Sequence, residues 1–326
     1  MDLGLTEEQL ALRATIRSAI SRGRREIDLG LSIPDTYGGQ GGGLAEVAVA
    51  LGELRLMPNP LLSSTLAAQA ILATGNQEAC ARLLPRIAAG EPATLAWTDH
   101  TGHWDTPACA YDGTLTGTAH YVLDGDLTLV LARTETGPAL MLPKTCFRVD
   151  TNALDPTRPL ATVECADTPA EHLGPADPAA LRDLAVTLLA YEQAEIAAEA
   201  LARTVDYAKN RVQFGRPIGS FQAIKHRLAD LHLTVETARS AALHALLNPG
   251  PEQAALAKVH CSEALSTVAG EMIQLHGGIA ITWEHEAHLF FKRAHGSAQL
   301  FGSPEQHLDR LTELLGFTPS QSAEAR

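Results

Sequence analysis

Residues 210–222 read NRVQFGRPIGSFQ. The stretch lies between two long alanine- and leucine-rich segments and holds two arginines, two glycines, two aromatics and two glutamines, more chemistry than a link between packed helices requires. Upstream, residues 179–210 have a helical pattern that Pro178 is well suited to start. Downstream, Leu228, Leu231, Val235, Ala238 and Ala242 trace one apolar stripe of a helix expected over 220–247, which NPGPE ends. A third helix is expected over 252–275, stopped by Gly277-Gly278. A fourth follows over 286–295, and a last one starts near Pro304. Short links between long helices imply an antiparallel bundle.

Toward the N-terminus the texture changes. Between about 93 and 173 the segments ATLAWTD, GTLTGTAHYVLDG, LTLVLART, PALMLPK, FRVD and LATVECA alternate with YDG, LDGD and ETGP, the pattern of strands joined by turns. Before them come short helices. Thr6 with Gln9 forms a capping-box signature, and Leu10, Ala14, Ile16 and Ile20 follow at helical spacing. PDTYGGQGGG at 34–43 interrupts the chain before a helix from Leu44. A phosphate loop would need a preceding strand and a following Gly-Lys-Ser/Thr, so this run is expected to be a flexible loop. The fold class is α+β, mainly α. Its expected parts are an N-terminal helical domain (1–91), a small middle β domain (92–175) and a C-terminal four-helix bundle (176–326).

Of the 326 residues 45% are hydrophobic and only 5% aromatic, so alanine and leucine must do most of the packing. A formal charge of −13 argues against non-specific nucleic-acid binding, which needs clustered cations on phosphates. The five cysteines include no CxxC pair, which suggests neither a disulfide framework nor a zinc site. Cys261, among Val259, Ala264 and Leu265, reads as a core thiol. No apolar run reaches membrane-spanning length, and the first twenty residues read as an amphipathic helix, so a cytoplasmic protein with no membrane contact is expected. The histidines of HEAH at 285–288 are three residues apart, not four, with no third ligand, so no metal is expected. No GxSxG elbow is present.

The order helices, β domain, helix bundle, together with RVQFGRPIGSFQAIKHRLADL (211–231), QLHGGIAITWEHEAHLFFKRA (274–294) and PDTYGGQGGG, closely resembles the acyl-CoA dehydrogenase family. The resemblance implies FAD as cofactor. It also implies removal of two hydrogens from an acyl-CoA thioester, and an electron-transfer flavoprotein as the usual acceptor. It gives the opening stretch a purpose: Arg211 offers fork-shaped donors to a pyrophosphate, Phe214 an apolar face to adenine, and Gly215 and Gly219 allow close approach. In the family the matching Arg and Phe reach the ADP half of a neighbour's FAD. Gln274 and Gly278 resemble residues that close over the same ADP, and Gln213 and Gln222 are weaker candidates. Without that register, Arg211 would read as a cation offsetting the dipole of the preceding helix. Arg216 is expected to be structural.

The sequence also departs from the family. The base of most members falls in register on Phe301 of Phe301-Gly302-Ser303, and the position used by a minority falls on Ala185. Neither side chain takes a proton. Asp183, Glu192 and Glu305 are the nearby carboxylates and poor substitutes. The Thr-Glu-Pro-Gly stretch that cradles the flavin, followed by small residues, becomes Thr98-Asp99-His100-Thr101-Gly102-His103-Trp104. The Trp-Ile-Thr beside the ring becomes Tyr121-Val122-Leu123. The chain therefore looks like the short subunit of an α2β2 acyl-CoA dehydrogenase, whose longer subunit supplies the base and the ring pocket. The resemblance extends to a bulky, steroid-side-chain-like thioester. A self-sufficient homo-oligomer with a relocated base, and a non-catalytic scaffold of the same fold, are the alternatives.

Overall fold

The computed structural model describes residues 4–24 and 27–317. The chain opens with α1 (Glu7–Ser21), α2 (Leu44–Leu54), α3 (Leu61–Ala73) and α4 (Gln77–Ala88). The Thr6–Gln9 capping box starts α1, with the Thr6 hydroxyl accepting from Gln9 N and the Gln9 amide from Thr6 N. The glycine run before α2 is not the flexible loop its composition suggests. Backbone N–H groups of Gly39, Gln40, Gly41 and Gly42 donate to carbonyls of Pro34, Gly30, Ile33 and Leu31. A Cβ on Gly39 would lie 2.1 Å from Ile33 O. These glycines permit close packing of two backbones.

Eight strands follow: β1 (Ala93–Ala96), β2 (Cys109–Tyr111), β3 (Leu115–Leu123), β4 (Leu127–Thr134), β5 (Gly137–Pro143), β6 (Phe147–Thr151), β7 (Leu160–Thr168) and β8 (Ala170–Pro175). They form one sheet in the order β6-β7-β3-β2-β4-β5-β8, with β1 parallel to the first half of β4. β2 and β8 lack any sequence signature of their own. β2 is three residues long, and β8 is defined by pairing with β5. One face of the sheet packs Ala119, Val130, Met141 and Val163 into a small core.

Helices return with α5 (Pro178–Asn210), α6 (Gln222–Leu247), α7 (Pro251–His276), α8 (Ala287–Gln299) and α9 (Pro304–Leu314). Asp177 caps α5 by accepting from Ala179 N and Ala180 N, with Pro178 in the first turn. Ile196, Leu231, Val235, Leu265, Met272 and Phe290 close the bundle core, and Cys261 is fully buried in the adjoining one. Burying each large aliphatic side chain stabilises by about 1.5–3 kcal/mol. Among the described residues no helix is long and apolar enough to cross a membrane.

Where the three blocks meet, a buried ion network joins them. Arg293 of α8 reaches Asp155 at 2.5 Å, Glu192 of α5 at 3.4 Å and the carbonyl of Arg55 at 3.0 Å. Arg158 pairs with the other oxygen of Glu192. Two guanidiniums face two carboxylates, so the cluster is neutral. Pairing of this kind is what permits such burial.

Candidate functional site

The stretch 211–217 is not an open loop but a two-stranded hairpin, β9 (Val212–Gln213) and β10 (Arg216–Pro217). Arg211 ends α5, its N–H donating to Tyr207 O at 2.8 Å. Phe214 (φ 53°) and Gly215 (φ 76°) form the tip, both left-handed, as a tight primed turn requires. Gly215 thus serves the turn, and only Gly219 serves close approach: its Cβ would lie 3.0 Å from Ala208 O. Arg216 stacks over the Phe221 ring at 4.0 Å, a structural role as expected. The Phe214 ring meets Phe221 edge-on at 6.2 Å and is 92% exposed. Arg211 is exposed, and among the described residues its guanidinium has no ion-pair or hydrogen-bond partner.

Gln213, Gln222, Gln274 and Gly278 are exposed as well. Gln222 opens α6, Gln274 lies in the last turn of α7, and Gly278 belongs to the 3-10 turn Gly277–Ile281. The fold brings these element ends to one end of the bundle. Arg227 of α6 pairs with Glu271 of α7 at 2.6 Å. Tyr207 of α5 stacks on His276 of α7 at 4.1 Å between centroids and donates its hydroxyl to His276 O at 3.2 Å. None of the five side chains among these six residues hydrogen-bonds another, so their surface is free to meet a ligand or a second chain.

The position expected for the base is packed shut. Phe301 has φ 60°, is 3% exposed and packs edge-to-face on Trp104 at 4.8 Å and obliquely on Trp97 at 6.4 Å. Trp104 in turn meets Trp97 at 5.4 Å. Phe301, at the expected register of the base, and Trp104, at a position expected to be small, pack against each other and against Trp97. The corner bearing Phe301 is pinned from beneath: buried Lys258 donates to Ser297 O at 2.7 Å and Leu300 O at 2.9 Å, and His307 Nε2 lies 2.9 Å from Phe301 O. Burial, with help from Arg158, pushes the Lys258 ammonium down to about 7.

Between the sheet and this corner lies a cavity of about 500 Å³, lined among others by Thr101, His120, Tyr121, Asn152, Gln299 and Ser303. Nearby hydroxyls are committed internally. Tyr121 (φ 56°) on its wall donates to His100 O at 3.0 Å, and Thr98, buried behind the lining, donates to His103 O at 2.6 Å. Asp99 accepts from Thr101 N and its hydroxyl, building the turn that replaces Pro-Gly. The substitute carboxylates are engaged too. Asp183 is gripped by Arg310 at 2.6 and 2.8 Å, Glu192 belongs to the buried network, and Glu305 is exposed on α9. Trp97, Trp104, Tyr207 and His285 were not legible as site residues. Of these, only the tryptophan in place of a small residue at 104 offered a signal.

Over residues 185–315 the chain matches the acyl-CoA dehydrogenase C-terminal domain, and over residues 26–91 the N-terminal domain. It is 46% identical over 284 residues to acyl-CoA dehydrogenase IpdE2 of Mycobacterium tuberculosis, covering 86% of this chain and 81% of that one. The chain belongs to the acyl-CoA dehydrogenase family. This family of flavin-dependent oxidoreductases also includes FadE34 of the same organism, 32% identical over 297 residues, a match spanning 87% of this chain but 40% of FadE34. Among solved structures, a variant of the Tcur3481–Tcur3483 steroid ACAD superposes with a TM-score of 0.85 at 29% identity, covering 95% of this chain and 98% of that one. The ChsE4–ChsE5 complex from Mycobacterium tuberculosis gives 0.87 at 25% identity, covering 98% and 100%. This acyl-CoA dehydrogenase thus has the family's fold, with Phe301 standing where the sequence reading expects the family's base.

Proposed function

We propose that the chain is the short, β-type subunit of an α2β2 acyl-CoA dehydrogenase. It contributes contacts to the ADP half of an FAD whose ring and catalytic base are housed by a longer subunit. The buried Trp97–Trp104–Phe301 cluster carries this reading. General-base catalysis is worth roughly 10²- to 10⁴-fold, and a phenyl ring can contribute none of it.

The residues fit one half of the cofactor and not the other. Arg211, Gln213, Phe214, Gln222, Gln274 and Gly278 would hold the ADP half, since cation, aromatic face and amides stand exposed at one end of the bundle. The ring half has no free hydroxyl at Thr98 or Tyr121 and a leucine at 123, so no chemical step is assigned to this chain's own cavity. Two relatives support a paired arrangement. One solved neighbour is a complex of two proteins, and FadE34 is much longer than the part this chain matches. The steroid ACAD among the neighbours supports a bulky, steroid-like acyl-CoA as substrate. The acceptor is taken to be an electron-transfer flavoprotein on the family resemblance alone.

Co-expression with a longer homologue should yield a yellow complex with one FAD per pair, and the chain alone should be colourless and inactive. Arg211→Ala in the complex removes charge-assisted contacts worth about 1.5–3 kcal/mol each, so flavin content at low micromolar protein should fall visibly. Unchanged flavin content would favour a scaffold. Stoichiometric FAD and acyl-CoA oxidation by the lone chain would refute the proposal.

A further inference from the structure

Three rings from three elements meet beside the candidate cofactor contacts. Tyr207 lies in the last turn of α5, four residues before Arg211. His276 ends α7, two residues from Gln274 and two from Gly278. His285 lies in the link to α8. Tyr207 stacks on His276 at 4.1 Å, and His276 meets His285 at 4.6 Å. Tyr207 and His285 lie 6.5 Å apart, edge to face. The tyrosine hydroxyl donates to His276 O.

Hydrogen bonds fix which ring nitrogen carries each proton. Ala287 N–H donates to His285 Nδ1 at 3.1 Å, so this nitrogen is unprotonated and caps the start of α8. His276 Nδ1 faces Met272 O at 2.8 Å and therefore carries its proton.

We propose that the Tyr207–His276–His285 stack is the positioning joint for the dinucleotide contacts, and that acid opens it. A proton on His285 Nδ1 removes the acceptor for Ala287 N–H and places a cation at a helix N-terminus, where the dipole opposes it. It also sets that cation against His276, whose own imidazole is held below its usual range by burial and by His285. The other charged neighbours do not offset this. Glu286 is paired with Arg203, which also binds Glu199, while Lys292 of α8 adds positive charge and the His288 imidazole is held below its usual range by burial, Lys292 and His285. Glu284 is exposed. When the joint opens, the Arg211 hairpin and the Gly277–Ile281 turn lose their common anchor.

The joint belongs to this chain alone, and only its link to the cofactor rests on the subunit reading above. Amide hydrogen exchange on the full chain at about pH 7.5 and about pH 5.5, corrected for intrinsic rates, tests it. Protection over 205–218 and 277–290 should fall together by about tenfold at the lower pH. His285→Gln retains an acceptor for Ala287 N–H without taking up a proton and should abolish the fall. Tyr207→Leu should uncouple the two segments at both values. Loosening of only one segment, or the same fall in His285→Gln, would overturn the joint. In the co-purified complex, flavin fluorescence should report release over the same pH interval, suppressed in His285→Gln. Coordinated loosening with flavin retained would sink the shared-cofactor reading while leaving the joint in place.

Discussion

His307 shows how a single buried side chain can set the acid limit of the fold. It is 2% exposed beneath the Phe301 corner. Burial pushes its imidazole down to about 4, with Lys258, Arg182 and Arg310 adding to the effect against the Phe301 carbonyl. The unfolded chain, with an ordinary value near 6.5, binds a proton that the folded chain refuses between about pH 6.5 and 4. Stability is therefore full above that window and falls as the pH drops through it, by about 3 kcal/mol in total. Urea unfolding of the native chain and His307→Gln should give midpoints that converge toward acid, with the variant's pH dependence the flatter. Parallel curves across that window would show that His307 is not responsible.

At the scale of elements, the hairpin tip sets stability against contact. Phe214 holds a left-handed conformation that costs a non-glycine residue roughly 1–2 kcal/mol, yet its ring stands in solvent. Phe214→Asn gives the Asn-Gly pair that primed turns favour. The variant should be as stable as the native chain or up to about 1 kcal/mol more so, while flavin content of the complex falls. Thermal melts and a flavin-to-protein ratio check both signs, and a loss of stability would mean the ring supports the fold. The same element shows what was readable in advance. Capping residues and apolar stripes located α1, α2 and α5–α9 because those signals are local. Nothing local in the sequence distinguishes a two-residue strand, so the hairpin shows only in the folded chain. β2 and β8 exist through partners distant in sequence, and the glycine run packs because of Ile33 and Leu31. For the site, Arg211, Phe214, Gln274 and Gly278 stood out as a pattern, and the missing base at 301 was visible as a residue type. What fills that space was not, since Trp97, Trp104 and Phe301 meet only in the folded chain.

For the whole molecule, the decisive feature is that one arginine ties the three blocks together. Arg293 is 1% exposed and donates to Arg55 O after α2, to Asp155 and Thr157 between β6 and β7, and to Glu192 of α5. A flat guanidinium can serve all these acceptors at once, and an ammonium cannot. Arg293→Met would leave Asp155 buried without its cation, and Glu192 with Arg158 alone. Removing one partner of a buried pair costs about 3–5 kcal/mol, because the stranded charge keeps its desolvation penalty. The loss falls on the junction, where a third and larger apolar core also joins residues of all three blocks, while the bundle and the sheet each keep a core of their own. With Trp283→Phe as background to silence the third, exposed tryptophan, Trp97 and Trp104 report by fluorescence on the β block and its contact with Phe301, whereas far-ultraviolet dichroism reports mainly on helices. In the native chain the two urea transitions should coincide, as two-state unfolding requires. In Arg293→Met they should shift to lower urea and separate, and Arg293→Lys should recover little of the loss. A variant that loses stability while keeping coincident transitions would show that the blocks are coupled through their apolar contacts and that the ion network only adds to them.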